Sequence, residues 1–431
     1  MSGSVSTRRS RLWHPGAASR PVAVATAVEE TIGSSQWELE LRPYAHHAPL
    51  IAALDELARH AGGANPFFES EFLSASVDRI GVPGKNLFVL WEHIGETSLA
   101  RLAFPVIEDR IGLPGQPVLR AWSHPYAPLS TPLIDMRDAQ EACARFARLL
   151  CRLQPTAALP LVFDDFPADE PGSKIIARAM REAGYVVRST APRSRACLLP
   201  AGGMPVQAHL PILASAKRRR ELARQLRKLE QLGRVEFEET TDFDHVVLRF
   251  EEFLLLETRG WKGRKGTSIH VLRKTASFAR QAVAALGDRD RATIHSLRLD
   301  GRAIASLIML RSGNRYFPWK IAFDPAYQSH SPGVHLMVHA STGLLGTGSF
   351  AGADSLAAER SWIDRVWPGR LALETLVVAP PDTPAAARAP AVARAVEREL
   401  RLRRLARGLL RRNLPAPRAP RQSPGRGTPA G

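Results

Sequence analysis

The turn that ends at Gly333 is the segment of this sequence whose residues could do chemistry. Ser331 suits the position before a helix, and Pro332 suits its first turn, where the amide hydrogen that proline lacks would have no partner. Gly333 follows without a side chain that could keep a ligand away. The backbone amides of Gly333, Val334 and His335 would then face an anion at the positive end of the helix dipole. The spacing predicts a pyrophosphate site, and an ordinary strand–turn–helix connection is the alternative.

A second polar segment lies near residue 260. It combines an acid, an aromatic ring and two bases around two glycines: Glu257, Trp261, Lys262 and Arg264. Such a mixture suits recognition of a polar or sugar-like acceptor, with Trp261 as a flat stacking surface. The alternative is a helix C-terminus closed by Gly260. Both interpretations can hold together.

The elements that would position these residues follow from hydrophobic periodicity and turn signals. Three alternating runs, at 292–299, 303–310 and 316–323, are separated by Asp-Gly and Ser-Gly-Asn turns, which predicts an antiparallel meander leading into the phosphate turn. Helices are predicted over 213–232, 243–258, 270–286 and 356–366, and a closing strand over 371–378.

The N-terminal half shows the same order of elements. Strands are predicted at 37–42, 86–93, 99–106, 158–163 and 185–188, and helices at 47–61, 69–79, 138–153 and 171–184. Both halves therefore run as helices, meander, helix, strand, helix and strand, which predicts a duplicated α/β domain. The expected boundaries are a disordered leader at 1–35, an N-terminal domain at 36–202, a C-terminal domain at 203–379 and a basic tail rich in Ala, Pro and Arg at 380–431.

Composition limits the class of protein. The chain has 431 residues, and 45% of them are hydrophobic, so large cores can form and wholesale disorder is not expected. Residues 1–20 hold four arginines and no acid, and residues 380–431 hold twelve arginines against three acids, so these tails carry 13 of the 17 net positive charges. A core that binds nucleic acid is therefore not implied.

Cysteine usage and hydropathy indicate the compartment. Cys143, Cys151 and Cys197 form no Cys-x-x-Cys pair, which favours a reducing compartment and argues against a metal site. The sequence has no apolar run of about 18 residues, the length that spans a bilayer. The N-terminus also lacks the apolar core of a secretory signal. A cytoplasmic location is expected.

The basic tail contains one further element. Residues 385–414 could form a basic helix with Val392, Val396, Leu400 and Leu409 on or near one face. Such a helix is either a solvated tail or a peripheral contact with an anionic membrane surface.

The spacing of the phosphate turn is similar to that of a known superfamily. Gln328, Ser331 and Gly333 fall at positions of the (Arg/Gln)-x-x-Gly-x-(Gly/Ala) loop of GNAT N-acyltransferases, with serine in place of the middle glycine. Other segments resemble the CelD-like (BioF2-like) branch: Asn65 to Phe67, residues 256–267, and residues 319–333. The resemblance covers roughly 37–378. It implies tandem GNAT-like α/β domains with mixed, mainly antiparallel sheets flanked by helices, similar to the FemAB aminoacyl-transferases.

The resemblance also implies an acyl-CoA site in the C-terminal domain. A backbone amide near Ile321, Ala322 or Phe323 would hold the thioester carbonyl. The coenzyme A pyrophosphate would lie on the turn made of Gln328, Ser329, His330, Ser331, Gly333, Val334 and His335.

Three side chains beside this turn are candidates for chemistry. Asp324 could orient or deprotonate the acceptor, with an Asp-Pro turn residue as the alternative. Tyr327 could protonate the leaving thiolate, or simply pack. Lys320 alternates with Trp319 along the strand, so one of the two would face the core and the other the cleft, where a lysine could pair with a phosphate or carboxylate.

The helix over 213–232 is unusually basic. Its cationic residues are Lys217, Arg218, Arg219, Arg220, Arg224, Arg227 and Lys228. They could form a solvated helix face, a site for the 3′-phosphate of coenzyme A or for an anionic acceptor, or a patch that faces RNA.

These features together predict an acyltransferase. It would move an acyl group, most simply acetyl, from acyl-CoA to an amine or hydroxyl of a small-molecule or saccharide acceptor, on a polysaccharide or envelope precursor. The N-terminal half, which lacks a comparable turn, would shape the acceptor cleft. One alternative is a FemAB-like transferase that uses aminoacyl-tRNA, the only reading with a nucleic-acid partner. Another is a non-catalytic scaffold of a polysaccharide-synthesis complex.

Overall fold

A computed structural model of the chain describes residues 26–44, 47–62, 64–80, 86–153, 156, 158–200, 202–260, 263, 266 and 268–412. Within these residues one continuous fourteen-stranded sheet is flanked by helices on its faces. The sheet is mainly antiparallel, which confirms the predicted mixed α/β class.

The bounds of the elements are as follows. The strands are β1 (Thr26–Ile32), β2 (Ser35–Pro43), β3 (Asn86–Ile94), β4 (Thr97–Ile111), β5 (Gln116–Ala121), β6 (Leu133–Ile134), β7 (Leu161–Phe166), β8 (Val186–Leu198), β9 (Val235–Thr240), β10 (Ala292–Leu299), β11 (Arg302–Ser312), β12 (Arg315–Phe323), β13 (Gly352–Asp354) and β14 (Gly369–Ala379). The α-helices are α1 (Ala48–His60), α2 (Ser70–Arg79), α3 (Ala139–Leu150), α4 (Pro171–Glu182), α5 (Val206–His209), α6 (Pro211–Ala214), α7 (Ala216–Glu230), α8 (Phe243–Arg259), α9 (Arg273–Gly287), α10 (Pro332–Leu345) and α11 (Pro384–Arg412).

The order of strands across the sheet reveals an internal symmetry. The order is β1-β2-β3-β4-β5-β7-β14-β8-β13-β12-β11-β10-β9, with β6 paired to β4. If β2 to β5, β7 and β8 are exchanged for β9 to β12, β13 and β14, the order from β2 to β9 is reproduced in reverse, and β1 and β6 have no counterpart. Each half contains one parallel pair, β5 with β7 and β12 with β13, and each of these pairs spans two residues per strand. The arrangement is that of a duplicated unit, as the order of elements in the sequence predicted.

The last strand of each half is exchanged between the halves. Strand β14 lies between β7 and β8, and β8 lies between β14 and β13. Backbone hydrogen bonds therefore run without a break from one half to the other. The predicted boundary at 202/203 falls after β8, in the connection to α5.

Glu69, directly before α2, and Phe72 within it also join the two halves. Buried Glu69 accepts hydrogen bonds from Arg291 and from the Ser312 hydroxyl of the C-terminal half. Burial raises the pKa of Glu69 to about 7, although Arg291 and Ser312 act in the opposite direction. Phe72 packs edge-on against Trp319 of β12, with ring centroids 5.7 Å apart. The Asn65 segment that resembles the CelD-like branch thus leads into the core between the halves, where the Asn65 amide donates to the carbonyl of Thr131.

Two predictions are wrong, and the basic helix predicted over 385–414 forms as α11 but with packing that was not predicted. Residues 26–32 were expected in a disordered leader but form β1, which is held by backbone pairing to β2 although its own apolar alternation is weak. The helix predicted over 356–366 is replaced by irregular chain and a short 3₁₀ turn at Trp362–Arg365, and both Leu356 and Arg360 adopt positive φ, which an α-helix does not allow. Helix α11, expected in a basic tail, packs on the sheet.

Helix α11 contributes to a small apolar cluster of its own. Ala385, Ala389, Val392, Ala395 and Val396 are buried against β4, β5, β8 and β14. These residues recur at intervals of three and four, so they line one face of the helix. Its basic residues Arg394, Arg398 and Arg401 are exposed. No helix in the part of the chain that the structure describes is long and apolar enough to cross a membrane.

Candidate functional site

Strand β12 separates from β13 soon after the two begin. Arg315 pairs with Gly352 and Tyr316 with Ala353, and the parallel pairing ends there, whereas β12 itself continues to Phe323. On its other side β12 stays paired with β11 as far as Phe323. From residue 317 onward, one edge of β12 therefore has no strand partner among the described residues. The backbone along this edge can bind a ligand in the wedge between the two strands.

Two ion pairs fix the point where this wedge opens. Arg315, at the start of β12, pairs with Glu170 of the N-terminal half. Arg195 of β8 pairs with Asp354 of β13 at 2.6 Å, and both side chains are almost fully buried. Since breaking a buried pair leaves a charge without a partner, these contacts hold the strands firmly at the narrow end of the wedge.

A bulge in β12 decides which side chains face the N-terminal half. Ile308 lies opposite Lys320 and Met309 opposite Pro318, so Trp319 is the extra residue. The Trp319 indole donates to the carbonyl of Tyr126 at 2.8 Å, and the Lys320 ammonium lies 4.7 Å from the centre of the Tyr126 ring. Trp319 lies in the core and Lys320 is partly exposed, in line with the predicted alternation, but the bulge lets both side chains contact Tyr126.

The start of α10 differs from the predicted phosphate cradle. Ser331 precedes the helix and Pro332 occupies its first turn, as expected, but Ser331 adopts a left-handed conformation and makes no capping bond with its side chain. The amides of Val334 and His335 both donate to the Ser331 carbonyl, at 2.9 and 3.2 Å. Of the three predicted donors, only the Gly333 amide has no acceptor in the part that the structure describes.

Helix α10 begins close to β12 at Gly333. A Cβ atom at this position would lie 3.6 Å from both Ile321 Cδ1 and Phe323 Cδ1, at ordinary contact distance. Gly333 is buried, whereas Gln328 and Ser329 in the preceding 3₁₀ segment are exposed. An anion at this site would therefore lie over an exposed turn rather than in a deep pocket.

The neighbouring histidines are held in the turn and the helix. The Ser329 hydroxyl lies 3.1 Å from Nδ1 of His330, which is partly exposed. His335 is buried in α10, and burial, followed by the charge of His330, lowers its pKa. A neutral His335 suits a position among apolar side chains better than one that binds phosphate.

Asp324 is engaged in structural contacts. Its carboxylate accepts the amide of Ala326 at 3.0 Å, which caps the 3₁₀ segment Pro325–His330. The same carboxylate pairs with Arg302 at 2.9 Å and lies 3.9 Å from Arg259. These contacts fit the turn-residue alternative, and a catalytic role of Asp324 stays a prediction.

Tyr327 packs on the apolar surface that carries the turn. It is half-buried and joins the cluster of Ile321, Phe323 and Leu336. Ala322, on the opposite face of β12, is buried in the other core cluster. The predicted role of Tyr327 as a proton donor to the thiolate stays a prediction.

Residues of both halves meet beside β12, near the predicted acceptor residues. The Glu257 carboxylate at the end of α8 accepts the amide of Ile269 at 2.7 Å and is buried. Burial and the nearby charge of Glu257 raise the pKa of Tyr126, which hydrogen-bonds to Thr275 of α9. Lys320, over the Tyr126 ring, completes this group. Three predicted acceptor residues, Trp261, Lys262 and Arg264, lie outside the described residues.

Sequence reasoning missed Tyr126. It lies in a long connection of the N-terminal half, far from the C-terminal segments to which the resemblance pointed, and no local pattern marks it. Its pairing with β12 depends on how the halves pack. Within the described residues, no group of three or more His, Cys, Asp or Glu could hold a metal ion.

One family model matches this part of the chain. Residues 216–362 match the model described as the acetyltransferase (GNAT) domain. The matched segment is thus similar to GNAT acetyltransferases. It begins with α7 and contains β9 to β13, the wedge and the start of α10. The finer resemblance to the CelD-like branch stays a prediction.

Comparison with other proteins adds fold-level similarities. No curated protein matches the sequence. Among solved structures, FemX shares 9% identity over 78% of this chain and 96% of that chain, with a TM-score of 0.47. The C-terminal DUF2156 domain of a putative lysylphosphatidylglycerol synthetase from Agrobacterium fabrum shares 12% identity over 77% and 91%, with a TM-score of 0.46. A tandem GNAT protein from the clavulanic acid biosynthesis pathway shares 14% identity over 79% and 98%, with a TM-score of 0.35.

Proposed function

We propose that this protein transfers an acyl group, most simply acetyl, from acyl-CoA to an amine or hydroxyl. The observation that carries the proposal is the separation of β12 from β13 after Tyr316. It leaves a strand edge for a thioester and leads, through the exposed turn at Gln328 and Ser329, to the start of α10. The GNAT match over residues 216–362 includes all of these elements and supports the assignment.

The reaction needs a bound donor, a neutral nucleophile and stabilisation of an oxyanion. In the proposed reaction, the nitrogen or oxygen of the acceptor bonds to the thioester carbon, and an amide near Ile321 to Phe323 donates to the developing oxyanion. The carbon–sulfur bond then breaks, and the proton lost by the nucleophile ends on the thiol of coenzyme A. Alignment of donor and acceptor alone can correspond to effective molarities of about 10⁵ M or more.

The N-terminal half supplies one wall of the proposed acceptor site. The Tyr126 connection contacts β12 through Trp319 and Lys320, directly before the strand segment assigned to the thioester. Glu257 and Thr275 border the same space from α8 and α9. A polar acceptor such as a saccharide suits this mixture of ring faces, amine and carboxylate. A polysaccharide or envelope precursor is the acceptor that the sequence resemblance favours.

A pair of glycine variants tests the donor site. Gly333→Val places a branched side chain against Ile321 and Phe323 at the wedge, whereas Gly343→Val changes the same helix where a Cβ meets no atom within 4 Å. We expect acetyl-CoA to give a saturable calorimetric titration with wild type and Gly343→Val. We expect at least tenfold weaker binding with Gly333→Val, a loss of about 1.4 kcal/mol.

Thermal unfolding of both variants serves as the control for folding. Equal affinity of the two variants for acetyl-CoA would mean that acetyl-CoA does not bind beside Gly333. No binding by the wild-type protein would refute the proposed function.

A further inference from the structure

Helix α7 concentrates positive charge on the surface of the body of the protein. Between Ala216 and Glu230 it carries seven basic residues and two acidic residues. Of its residues, Leu229 is buried and anchors the helix to the C-terminal half. The seven basic residues are all exposed.

Most of these cations have no hydrogen-bond or ion-pair partner among the described residues. Arg219 donates to the carbonyls of Leu213 and Ala214, and Arg224 pairs with Glu221 at 2.7 Å. The side chains of the remaining five make no hydrogen bond or ion pair within the part that the structure describes: Lys217, Arg218, Arg220, Arg227 and Lys228. Elsewhere in this half, arginines such as Arg291 and Arg298 are paired with carboxylates. The cations of α7 are thus available to an external anion.

The position of α7 indicates which anion they meet. Leu229 belongs to the same apolar cluster as Ile321, Phe323 and Tyr327, and α7 packs against the 3₁₀ segment Pro325–His330. The basic helix therefore lies beside the exposed turn that leads into α10. A ligand with its pyrophosphate on this turn would have its next charged group within reach of α7.

We propose that α7 binds the 3′-phosphate of the donor coenzyme A, an inference that rests on the proposed function. In coenzyme A, the 3′-phosphate is attached to the same ribose whose 5′ carbon carries the pyrophosphate. It is therefore one sugar away from the turn, and it carries up to two negative charges. Charge-assisted hydrogen bonds from lysine and arginine to phosphate are stronger than neutral ones, and the multiple donors of arginine suit its oxygens.

Dephospho-coenzyme A, which lacks only the 3′-phosphate, gives a direct test. Calorimetric titrations of the full chain would compare the two nucleotides on wild type and on an α7 variant, Arg220→Gln with Arg227→Gln and Lys228→Gln. Glutamine retains helix propensity, so α7 should remain folded. The matched control is Arg394→Gln with Arg398→Gln and Arg401→Gln on α11. It removes the same three charges from exposed residues on a helix that packs against the other half.

The proposed contact predicts a specific pattern of affinities. Wild type and the α11 variant should bind coenzyme A at least tenfold more tightly than dephospho-coenzyme A. The α7 variant should lose most of this preference and keep its affinity for dephospho-coenzyme A. Equal weakening of both nucleotides, or an unchanged preference, would overturn the assignment while leaving the proposed function standing.

Two further outcomes would also show that α7 does not bind the 3′-phosphate. If wild type binds neither nucleotide, the proposed donor is wrong and this inference fails with it. If the α7 variant keeps its preference for coenzyme A but loses salt-sensitive binding of tRNA, the cations serve RNA instead, because phosphate-backbone contacts weaken steeply with salt.

Discussion

Replacement of His295 should change how the stability of this protein depends on pH. His295 lies on β10, where it is buried opposite Leu307 of β11. Its Nδ1 atom lies 3.9 Å from the Glu239 carboxylate of β9, and His339 of α10 is the other titratable group that acts on it. Burial, followed by the charge of His339, lowers the pKa of His295 from 6.5 to about 4.

The magnitude follows from the difference between the folded and unfolded states. Above pH 6.5 His295 is neutral in both states and costs nothing. As the pH falls, the unfolded chain gains a proton that the folded protein accepts only near pH 4, so the folded state loses stability across this window. With 1.36 kcal/mol per pKa unit, the loss reaches about 2.5 kcal/mol at pH 4.5.

Urea denaturation between pH 7.5 and pH 4.5 measures this effect. Since carboxylates and other histidines also titrate, the informative quantity is the difference in unfolding free energy between wild type and His295→Leu. We expect the variant to gain about 2.5 kcal/mol relative to wild type across this range. His270→Leu, at an exposed histidine, is the control and should shift the difference little. Parallel curves for wild type and His295→Leu would contradict a lowered pKa of His295 in the folded protein.

Two further predictions concern α11 and the start of the 3₁₀ segment. Val392→Ala should lower the unfolding free energy by about 2 kcal/mol, because it leaves a cavity against the sheet. Leu402→Ala, at a side chain that is 65% exposed, is the control and should change it by less than about 0.5 kcal/mol. Equal effects of the two variants in urea denaturation would mean that α11 does not pack as described. Asp324→Asn can keep the hydrogen bond from the Ala326 amide but loses the charge that pairs with Arg302. Its unfolding free energy should therefore fall by about 1 kcal/mol. An unchanged denaturation midpoint would rule out a structural role for this ion pair.

Elements with strong local signals could be predicted from the sequence. The hairpin between β10 and β11 follows from Asp300 and Gly301, both of which adopt positive φ as such a turn requires. The long helices α8 and α9 follow from their apolar periodicity. Strands β1, β5 and β9 were not predicted, since their place depends on a partner strand rather than on their own pattern. The exchange of β8 and β14 is likewise a property of the pairing between halves, which no local pattern encodes.

The candidate site could be predicted in part. The position of Ser331 before α10, of Pro332 in its first turn and of Gly333 directly after it follows from residue types alone. The bonds from the Val334 and His335 amides to the Ser331 carbonyl were not predicted, although the residue before a helix accepts the first helical hydrogen bond through its carbonyl. The bulge at Trp319 also escaped prediction, since it arises from the register between β11 and β12.

The two halves share one fold but differ in the chain that follows the fourth strand of each meander. In the C-terminal half, the connection from β12 to α10 is short and presents its exposed turn beside the wedge. In the N-terminal half, the corresponding connection from β5 to α3 is more than twice as long, includes β6, and carries Tyr126 across to β12.

The wedge of the N-terminal half is also occupied by its own charges. Arg120, at the end of the β5–β7 pairing, forms ion pairs with Asp109 at 2.6 Å and Asp164 at 3.1 Å. Tyr316 occupies the corresponding position in β12. Beyond it, the edge of β12 has no such ion pair among the described residues. In the proposed function, the donor is therefore assigned to the C-terminal copy, where the edge of β12 lacks such a pair among the described residues. In the proposed function, the two copies of the fold therefore have different roles. The β12–α10 connection binds the donor, and the β5–α3 connection forms a wall of the acceptor site.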